Sequence, residues 1–587
     1  MAVNVQRLPL VVSPENRDNT TNKDARLINC YVEIGEDRTP HLFRRPGRST
    51  WGNPSGVSSA PGMGTYWWNG HVYSIFNTGT LGPPTIGTLT TNTTGGTLAI
   101  GTFFYVVTAL NSVGETIASA EKSITTTTAT STITIPWGLV GGASSYKIYR
   151  GTASGGENVY FTATGTTPSF TDTGAAGTSG TPPSVSTALS ASLYKDLTLV
   201  AGGLDNTGGV YSFNSIMGSD PKLVLNNGVA TYAYDDIARL TGPLHQIDIN
   251  APQYTCKGVA YLDGYTFLLQ HFFGTSITPA VIWGSVSNSV DVNGDWDPLN
   301  FITAQMSPDS GVYLGKQLVY VVCMKEWSTE FFYDAGNATG SPLAPAMNLR
   351  LSYGCASADS VQNITDVYYW LSNNREASNQ IVMLENAQMR VISTPTIDRL
   401  LRDVDISLVY SWHIKIDGHT FYVITFKNNN LTLAYDINQN RWDQWTDVNG
   451  NYVPIVSSAR NQAGVTVLQH ETNGNLYYAS TDYYTDASDI IPITIITPRW
   501  DGGTSKRKTI SRMQFVSDIL VGSLMSVQVS DDDYQTWSQP RIVDLGTVLP
   551  NLINCGTFRR RAWKFIVSDS VFWRLSAVDL QFLVGSI

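Results

Sequence analysis

Only 14% of the 587 residues are charged, so three basic clusters stand out: Arg44-Arg45 with Arg48, Lys506-Arg507-Lys508, and Arg559-Arg560-Arg561 with Lys564. Guanidinium forks and ammonium groups in such clusters hold phosphate or a carboxylate-rich partner. The competing reading is ordinary solvated strand ends, since alternation along a strand would split Arg559 and Arg561 from Arg560. Arg44, Arg45, Arg559, Arg560, Arg561 and Lys564 are therefore the candidates for docking or phosphate contact.

Acid pairs occur at Asp235-Asp236, Asp295-Trp296-Asp297, Asp403-Val404-Asp405 and Asp531-Asp532-Asp533. A glycosidase needs two carboxylates about 5–10 Å apart across a cleft. Neighbours on a strand point to opposite faces and do not supply that, so turn formation is the better account of each pair. The seven histidines never fall at metal-ligand spacing, and His413 and His419 lie six apart across a predicted turn. There is no Gly-x-x-x-x-Gly-Lys-Ser/Thr loop, no Gly-x-Ser-x-Gly elbow and no His-Glu-x-x-His helix. The pattern points to a protein that is not an enzyme and needs no cofactor or metal.

Composition narrows the class further. Apolar residues make up 42% and aromatics 11%, enough to bury a large core and exclude disorder. A formal charge of −10 excludes a protein that coats DNA by bulk attraction. Five cysteines, with no Cys-x-x-Cys pair, read as buried free thiols. The opening residues show no signal-peptide pattern, and no apolar run is long enough to span a bilayer.

The elements that must position these residues are short β-branched or aromatic runs separated by turns. Tyr66-Trp67-Trp68, then Asn69-Gly70, then His71-Val72-Tyr73-Ser74-Ile75-Phe76 is one such unit. Comparable turns lie at Asp196, Gly264, Lys316, Asp366, Gly418 and Gly474, in steps of 68, 52, 50, 52 and 56 residues. A period near 50 in hairpin-rich sequence predicts an all-β fold with a β-propeller-like body of about six blades. Residues 83–188, bracketed by Pro83-Pro84 and Pro182-Pro183, are crowded with Thr, Gly and Ser. Thr102 to Ala109, Ile133 to Trp137 and Ser145 to Arg150 resemble strands of a fibronectin type III domain in rotated order, an immunoglobulin-like β-sandwich inserted in a loop. The expected divisions are 1–82, an N-terminal docking segment with the first propeller strands; 83–188, the insertion; 189–490, the propeller body; and 491–587, a C-terminal β region closing the body. In the last, Ser530 to Trp537 is similar to the Asp-box turn of sialidase-like propellers, a folding device with Tyr534 where glycine belongs.

Four segments in a shared order carry a family resemblance. Ala25-Arg26-Leu27-Ile28-Asn29-Cys30-Tyr31-Val32-Glu33 precedes Leu42-Phe43-Arg44-Arg45-Pro46-Gly47. Trp296-Asp297-Pro298 leads through Asp309 and Gly311 to Tyr333-Asp334, and Asp417-Gly418-His419 leads to Tyr435-Asp436 and Trp442. Arg561-Ala562-Trp563-Lys564-Phe565 comes last. Over residues 1–82 and 189–587 the chain resembles the tail nozzle proteins of short-tailed bacteriophages, also called packaged-DNA stabilisation or head-completion proteins; the insertion departs from the pattern. The resemblance implies a virion tail protein, made in the host cytoplasm, forming a homo-oligomeric ring expected to be a hexamer. The ring would dock on the adaptor beneath the portal, retain packaged duplex DNA and let it exit at infection without sequence preference. It would also meet a tail fibre, spike or plug, with no membrane insertion. The rival is a carbohydrate-binding or carbohydrate-cleaving propeller, a tail spike or sialidase-like depolymerase.

Overall fold

The computed structural model describes residues 4–585 apart from 11–23, 37, 112–113, 141–142, 165–167, 218–219, 238, 242, 274–275, 338 and 376–378. Ser112, Val113 and the opening Met1-Ala2-Val3 thus lie outside the described residues.

The hairpins read from the sequence build four-stranded antiparallel sheets. Blade 1 is Gly62–Trp68, His71–Thr80, Leu189–Lys195 and Thr198–Leu204. Blades 2 to 5 occupy 212–240, 260–303, 311–351 and 362–391. Blade 6 is Val409–Ile416, His419–Phe426, Leu431–Asp436 and Arg441–Trp445. Blade 7 combines Ile455–Arg460, Thr466–His470 and Leu476–Ser480 with Gly47–Gly52 from near the other end of the chain.

A single blade cannot cover its own faces, and each apolar cluster of the body lies between two blades. Tyr73 and Ile75 meet Leu223 and Tyr232 between blades 1 and 2. Val224 packs near Leu268 and Trp283 between 2 and 3, and Leu269 near Leu314 and Val321 between 3 and 4. Met324 and Trp370 share the next interface, Leu371 and Tyr422 the one after, and Trp412 and Leu468 join blades 6 and 7. Val467 and Leu476 meet Val72 and Phe76, which returns the series to blade 1. The ring is closed.

Two expectations change here. The described residues form seven blades where turn spacing predicts about six. The first hairpin of blade 2, between Ile216 and Lys222, has no Asn-Gly or Asp-Gly pair to announce it. The turns at Asp196 and Gly474 belong to other strand junctions, third to fourth in blade 1 and second to third in blade 7, so the 68-residue step to Gly264 spans a whole uncounted blade. Residues 491–587 also do not close the body; Gly47–Gly52 does.

The C-terminal region instead forms a second body with the N-terminal segment. One sheet joins Asn4–Arg7, Cys30–Ile34 and Pro40–Arg44 to Lys508–Ser517 and Arg574–Val584. The facing strands are Arg26–Ile28, Ile493–Ile496, Ala562–Val567, Leu524–Ser530 and Arg541–Asp544. They continue the outer strand of blade 6 through the parallel pair Ile28–Gln444. Leu27, Val32, Phe515, Trp563 and Phe565 fill the space between. The segment expected to dock elsewhere is thereby woven into the chain's own core. All five cysteines are buried and none is in a disulfide.

Residues 83–188 fold as a two-layer sandwich. Five strands, Gly101–Leu110, Lys122–Thr126, Ser145–Gly151, Val159–Thr164 and Thr178–Ser179, face Thr90–Asn92, Thr132–Pro136 and Ser169–Asp172. Tyr105, Val107, Ile133, Ile135 and Ile148 are fully buried between them, and the Trp137 and Tyr146 rings sit 5.2 Å apart. Asp172 ties the layers by accepting from Tyr105 Oη at 2.8 Å and Arg150 Nη1 at 2.9 Å. The insertion leaves and re-enters blade 1 at a paired position, Leu189 opposite Thr80, with Leu81 N donating to Ala188 O at 2.8 Å. Replacing 83–188 by a short Gly-Ser turn should therefore leave the propeller's thermal midpoint within a few degrees of the intact chain. A collapse in calorimetry would mean that the insertion props the ring.

Candidate docking surface

The structure sorts the basic candidates into buried fasteners and exposed cations. Arg45 follows Pro40–Arg44 and is 4% exposed. Its Nη1 and Nη2 donate to Asp486 Oδ1 and Oδ2 at 3.1 and 2.7 Å, Nε to Asn29 Oδ1 at 2.9 Å, and the remaining donors to Pro46 O and Thr446 O. Every donor of the fork is used. Burial alone would raise the Asp486 carboxyl, but the charges of Arg45 and Arg48 outweigh it and hold it below the usual range. Arg45→Ala leaves the buried carboxylate with the more distant Arg48 at 3.6 Å and should cost about 3–5 kcal/mol in chemical unfolding. A loss below about 1 kcal/mol would show that the pair fastens nothing.

Arg44 is also buried. Its Nη1 reaches Tyr484 O at 3.1 Å while Nε and Nη2 have no partner, and burial pulls the guanidinium down to about 10. Arg561 grips Asp531 through Nε and Nη2 at 2.7 and 2.8 Å, with its guanidinium 4.1 Å from the Phe558 ring centre. Lys564 is half-buried with Nζ 4.6 Å over Trp537, and burial lowers its pKa. Arg44, Arg45 and Arg561 serve the interior, and Lys564 lies half-buried against Trp537. The physical reason is local: Arg559 and Arg560 lie in a bend between Thr557–Phe558 and Ala562–Val567, where strand alternation does not apply and Arg561 alone turns inward.

Arg559 and Arg560 remain exposed, and they have company. Lys508 is buried, with Nζ donating to Asp501 O at 2.6 Å and to Thr504 O; Lys506 and Arg507 beside it are exposed. Lys508 pairs in register with Phe558, and Arg559 Nη1 donates to Ser505 O at 2.9 Å. Two loops that are distant in sequence thus present Lys506, Arg507, Arg559 and Arg560 together, and none of the four has a carboxylate partner among the described residues. Lys506 and Arg507 fall outside the candidate set read from sequence. No spacing signals the meeting, because strand pairing makes it.

The acid pairs are structural. Asp236 accepts from Tyr73 Oη at 2.6 Å and Lys195 Nζ at 3.0 Å; Asp295 accepts from Ser289 Oγ and Val292 N, both at 2.7 Å. Asp405 caps Ser407 N at 2.8 Å, and Asp532 holds the turn through Thr536 N at 3.0 Å, with Tyr534 at φ 68° where glycine would be easier. His419 Nδ1 lies 2.6 Å from Asp436 Oδ2, a buried fastener of blade 6. Among the described residues no group of three His, Cys, Asp or Glu is arranged to hold a metal ion, and no helix is long and apolar enough to cross a membrane.

The propeller axis is filled. All seven inner strands or their leaders converge on a pocket of about 200 Å³. Tyr66 stacks on Phe213 at 5.7 Å, Lys257 Nζ meets Asp359 Oδ1 at 2.6 Å, and His413 Nδ1 faces Gln362 Oε1 at 3.1 Å. Burial presses His413 down to about 4, a neutral imidazole. The side chains on the axis leave a cavity of only about 200 Å³, too small for a duplex to thread a single propeller.

Against this geometry, the family model described as Bacteriophage P22 Gp10, beta-propeller, matches residues 194–470, from the outer half of blade 1 to the second strand of blade 7. Residues 194–470 of the propeller body are similar to this phage family. The Gp10-type body makes the chain a structural protein of a phage tail, and the match omits the insertion and the C-terminal sandwich. No curated protein matches the sequence. Among solved structures the fold is similar to a streptogramin B lyase, at 7% identity and TM-score 0.29 over 57% of this chain and 89% of that one. It is similar also to a glucose dehydrogenase, at 7% and 0.28 over 46% and 94%. A fungal alcohol oxidase of the AA5 family follows at 11% and 0.30 over 86% and 99%. Likenesses that faint carry no functional argument.

Proposed function

We propose that this Gp10-type protein is the subunit of a ring-shaped tail nozzle that docks on the adaptor beneath the portal, retains packaged DNA and releases it at infection. The match of residues 194–470 to the phage propeller family carries the reading. The filled axis supports it indirectly, because a DNA channel must then lie between copies and not within one. The role is mechanical and not enzymatic; the closed ring of blades supplies a stiff wall. The inserted sandwich, which we read as fibronectin III-like from its rotated strand order, stands out from the wall towards a fibre, spike or plug.

The test is cryo-electron microscopy of the purified protein, alone and with the adaptor. A closed ring, expected to be six-fold, with a bore wider than duplex DNA supports the proposal. Failure to ring even with the adaptor present overturns it. The basic surface is the expected docking face: changing Lys506, Arg507, Arg559 and Arg560 together to Gln should leave the melt unchanged and weaken adaptor binding at least tenfold at low salt. Wild-type binding should itself weaken as salt screens the contact. Equal binding by the two forms would move the docking face elsewhere.

A further inference from the structure

A pocket of about 420 Å³ opens where blades 4 and 5 meet, on the face that carries the blade-to-blade connections. Its walls are Trp327, Tyr353, Arg350 and Arg375. Both arginines are exposed and neither has a carboxylate partner among the described residues; the Arg375 guanidinium lies 6.0 Å from the Trp327 ring centre. Beneath them is a buried ionic group. Lys325 Nζ sits 2.9 Å from Asp309 Oδ1 and 2.5 Å from Glu330 Oε1, all three side chains at most 1% exposed. Asp309 also accepts from Trp327 N at 2.8 Å and Ser328 Oγ at 3.1 Å, which fixes the aromatic wall to the floor. The hydroxyl oxygen of Ser307, another lining residue, is buried with no partner, and so is the carboxylate oxygen Oε2 of Glu330 in the floor.

The charges decide what such a pocket accepts. Three cations (Lys325, Arg350, Arg375) against two carboxylates (Asp309, Glu330) leave one positive charge. A guest with one negative charge neutralises the site, whereas a polyphosphate would overshoot it and crowd two buried carboxylates. The volume suits a guest of one or two sugar rings. Aromatic walls take the apolar face of a ring, Ser352 offers a hydroxyl, and a guanidinium fork matches a carboxylate. We propose that this pocket binds a saccharide unit bearing one carboxylate, with Arg350 and Arg375 holding the acid group and Trp327 and Tyr353 flanking the ring. The assignment adds a ligand site to the mechanical role and does not depend on the ring.

Saturation-transfer NMR on the full chain tests it with four probes: N-acetylneuraminate, galacturonate, neutral methyl galactoside and acetate, each at up to about 10 mM. Binding by at least one acidic sugar is expected, and which of the two binds separates a carboxylate on the anomeric carbon from one at the ring's exocyclic carbon. The Arg350→Gln/Arg375→Gln double variant changes only exposed side chains; it should melt like the parent and lose that signal at least tenfold. No binding by either acidic sugar, equal binding of methyl galactoside, equal binding of acetate, or retention of the signal by the double variant would each overturn the proposal.

Discussion

A chain that begins at residue 53 is expected to fail to form the seven-bladed ring. It should elute as aggregate or expanded monomer and lose its cooperative melt. The segment removed contains Gly47–Gly52, the outer strand of blade 7, whose pairing with Leu476–Ser480 joins the start of the chain to the end of the propeller. Without it, Leu476–Ser480 becomes an open edge with a row of unpaired backbone groups. Trp51 would no longer stack on Tyr478 at 5.0 Å, and Arg48 would leave the Tyr477 ring 5.1 Å from its guanidinium. The truncation also removes Arg45 and the sandwich strands, so a point change must isolate the closure. Gly47→Ala does so: its Cβ would stand 2.3 Å from Tyr483 O and 2.6 Å from Thr485 O, both backbone, and would drive the closing strand off its neighbour. About 3 kcal/mol of destabilisation is expected in denaturant titration, with the sandwich core untouched. An unchanged midpoint for Gly47→Ala, or a cooperative monomeric melt for the truncated chain, would mean that closure is not what holds the ring.

How much of this was legible follows from how local each cause is. Asn69-Gly70, Asp263-Gly264 and Asp417-Gly418 announce hairpins because both residues of the turn adopt positive φ (49° and 82°, 50° and 91°, 45° and 82°), and few other pairs tolerate that. The all-β class and the blade repeat could be read on that chemistry alone. Blade 2 was not, since the sequence between Ile216 and Lys222 holds no Asn-Gly or Asp-Gly pair. The closing strand was not legible either, because Gly47–Gly52 finds its partner across almost the entire propeller and carries no mark of it. The same distance hid the site. Arg45 and Arg559 look alike in sequence, yet one is saturated by Asp486, Asn29 and two carbonyls and the other stands in solvent. Only the register Lys508–Phe558 brings Lys506 and Arg507 alongside Arg559.

Asp443 should make the junction between propeller and C-terminal sandwich weaken as pH rises. It lies on Arg441–Trp445, the outer strand of blade 6, one residue before the parallel pair Ile28–Gln444 that joins the two bodies. The side chain is buried and neither carboxylate oxygen has a hydrogen-bond partner. Burial pushes the carboxyl up to about 8; Arg441 opposes the shift and Asp436 adds to it. Cys30, whose thiol burial also raises, senses the same charge. The folded chain therefore keeps a proton that the unfolded chain releases near pH 4. A group raised on folding stabilises fully below its unfolded pKa, and that contribution is lost as pH climbs towards the folded value. Across the window from about pH 4 to 8 the loss is of the order of 5 kcal/mol. Asp443→Asn keeps the shape of the neutral acid and cannot ionise. Urea unfolding at pH 4 and pH 8.5 should give similar stability for the two proteins at the lower pH and a clear advantage to Asp443→Asn at the higher. Parallel pH profiles would show that the carboxyl finds a partner or water in the folded chain, and would remove pH as a lever on this junction.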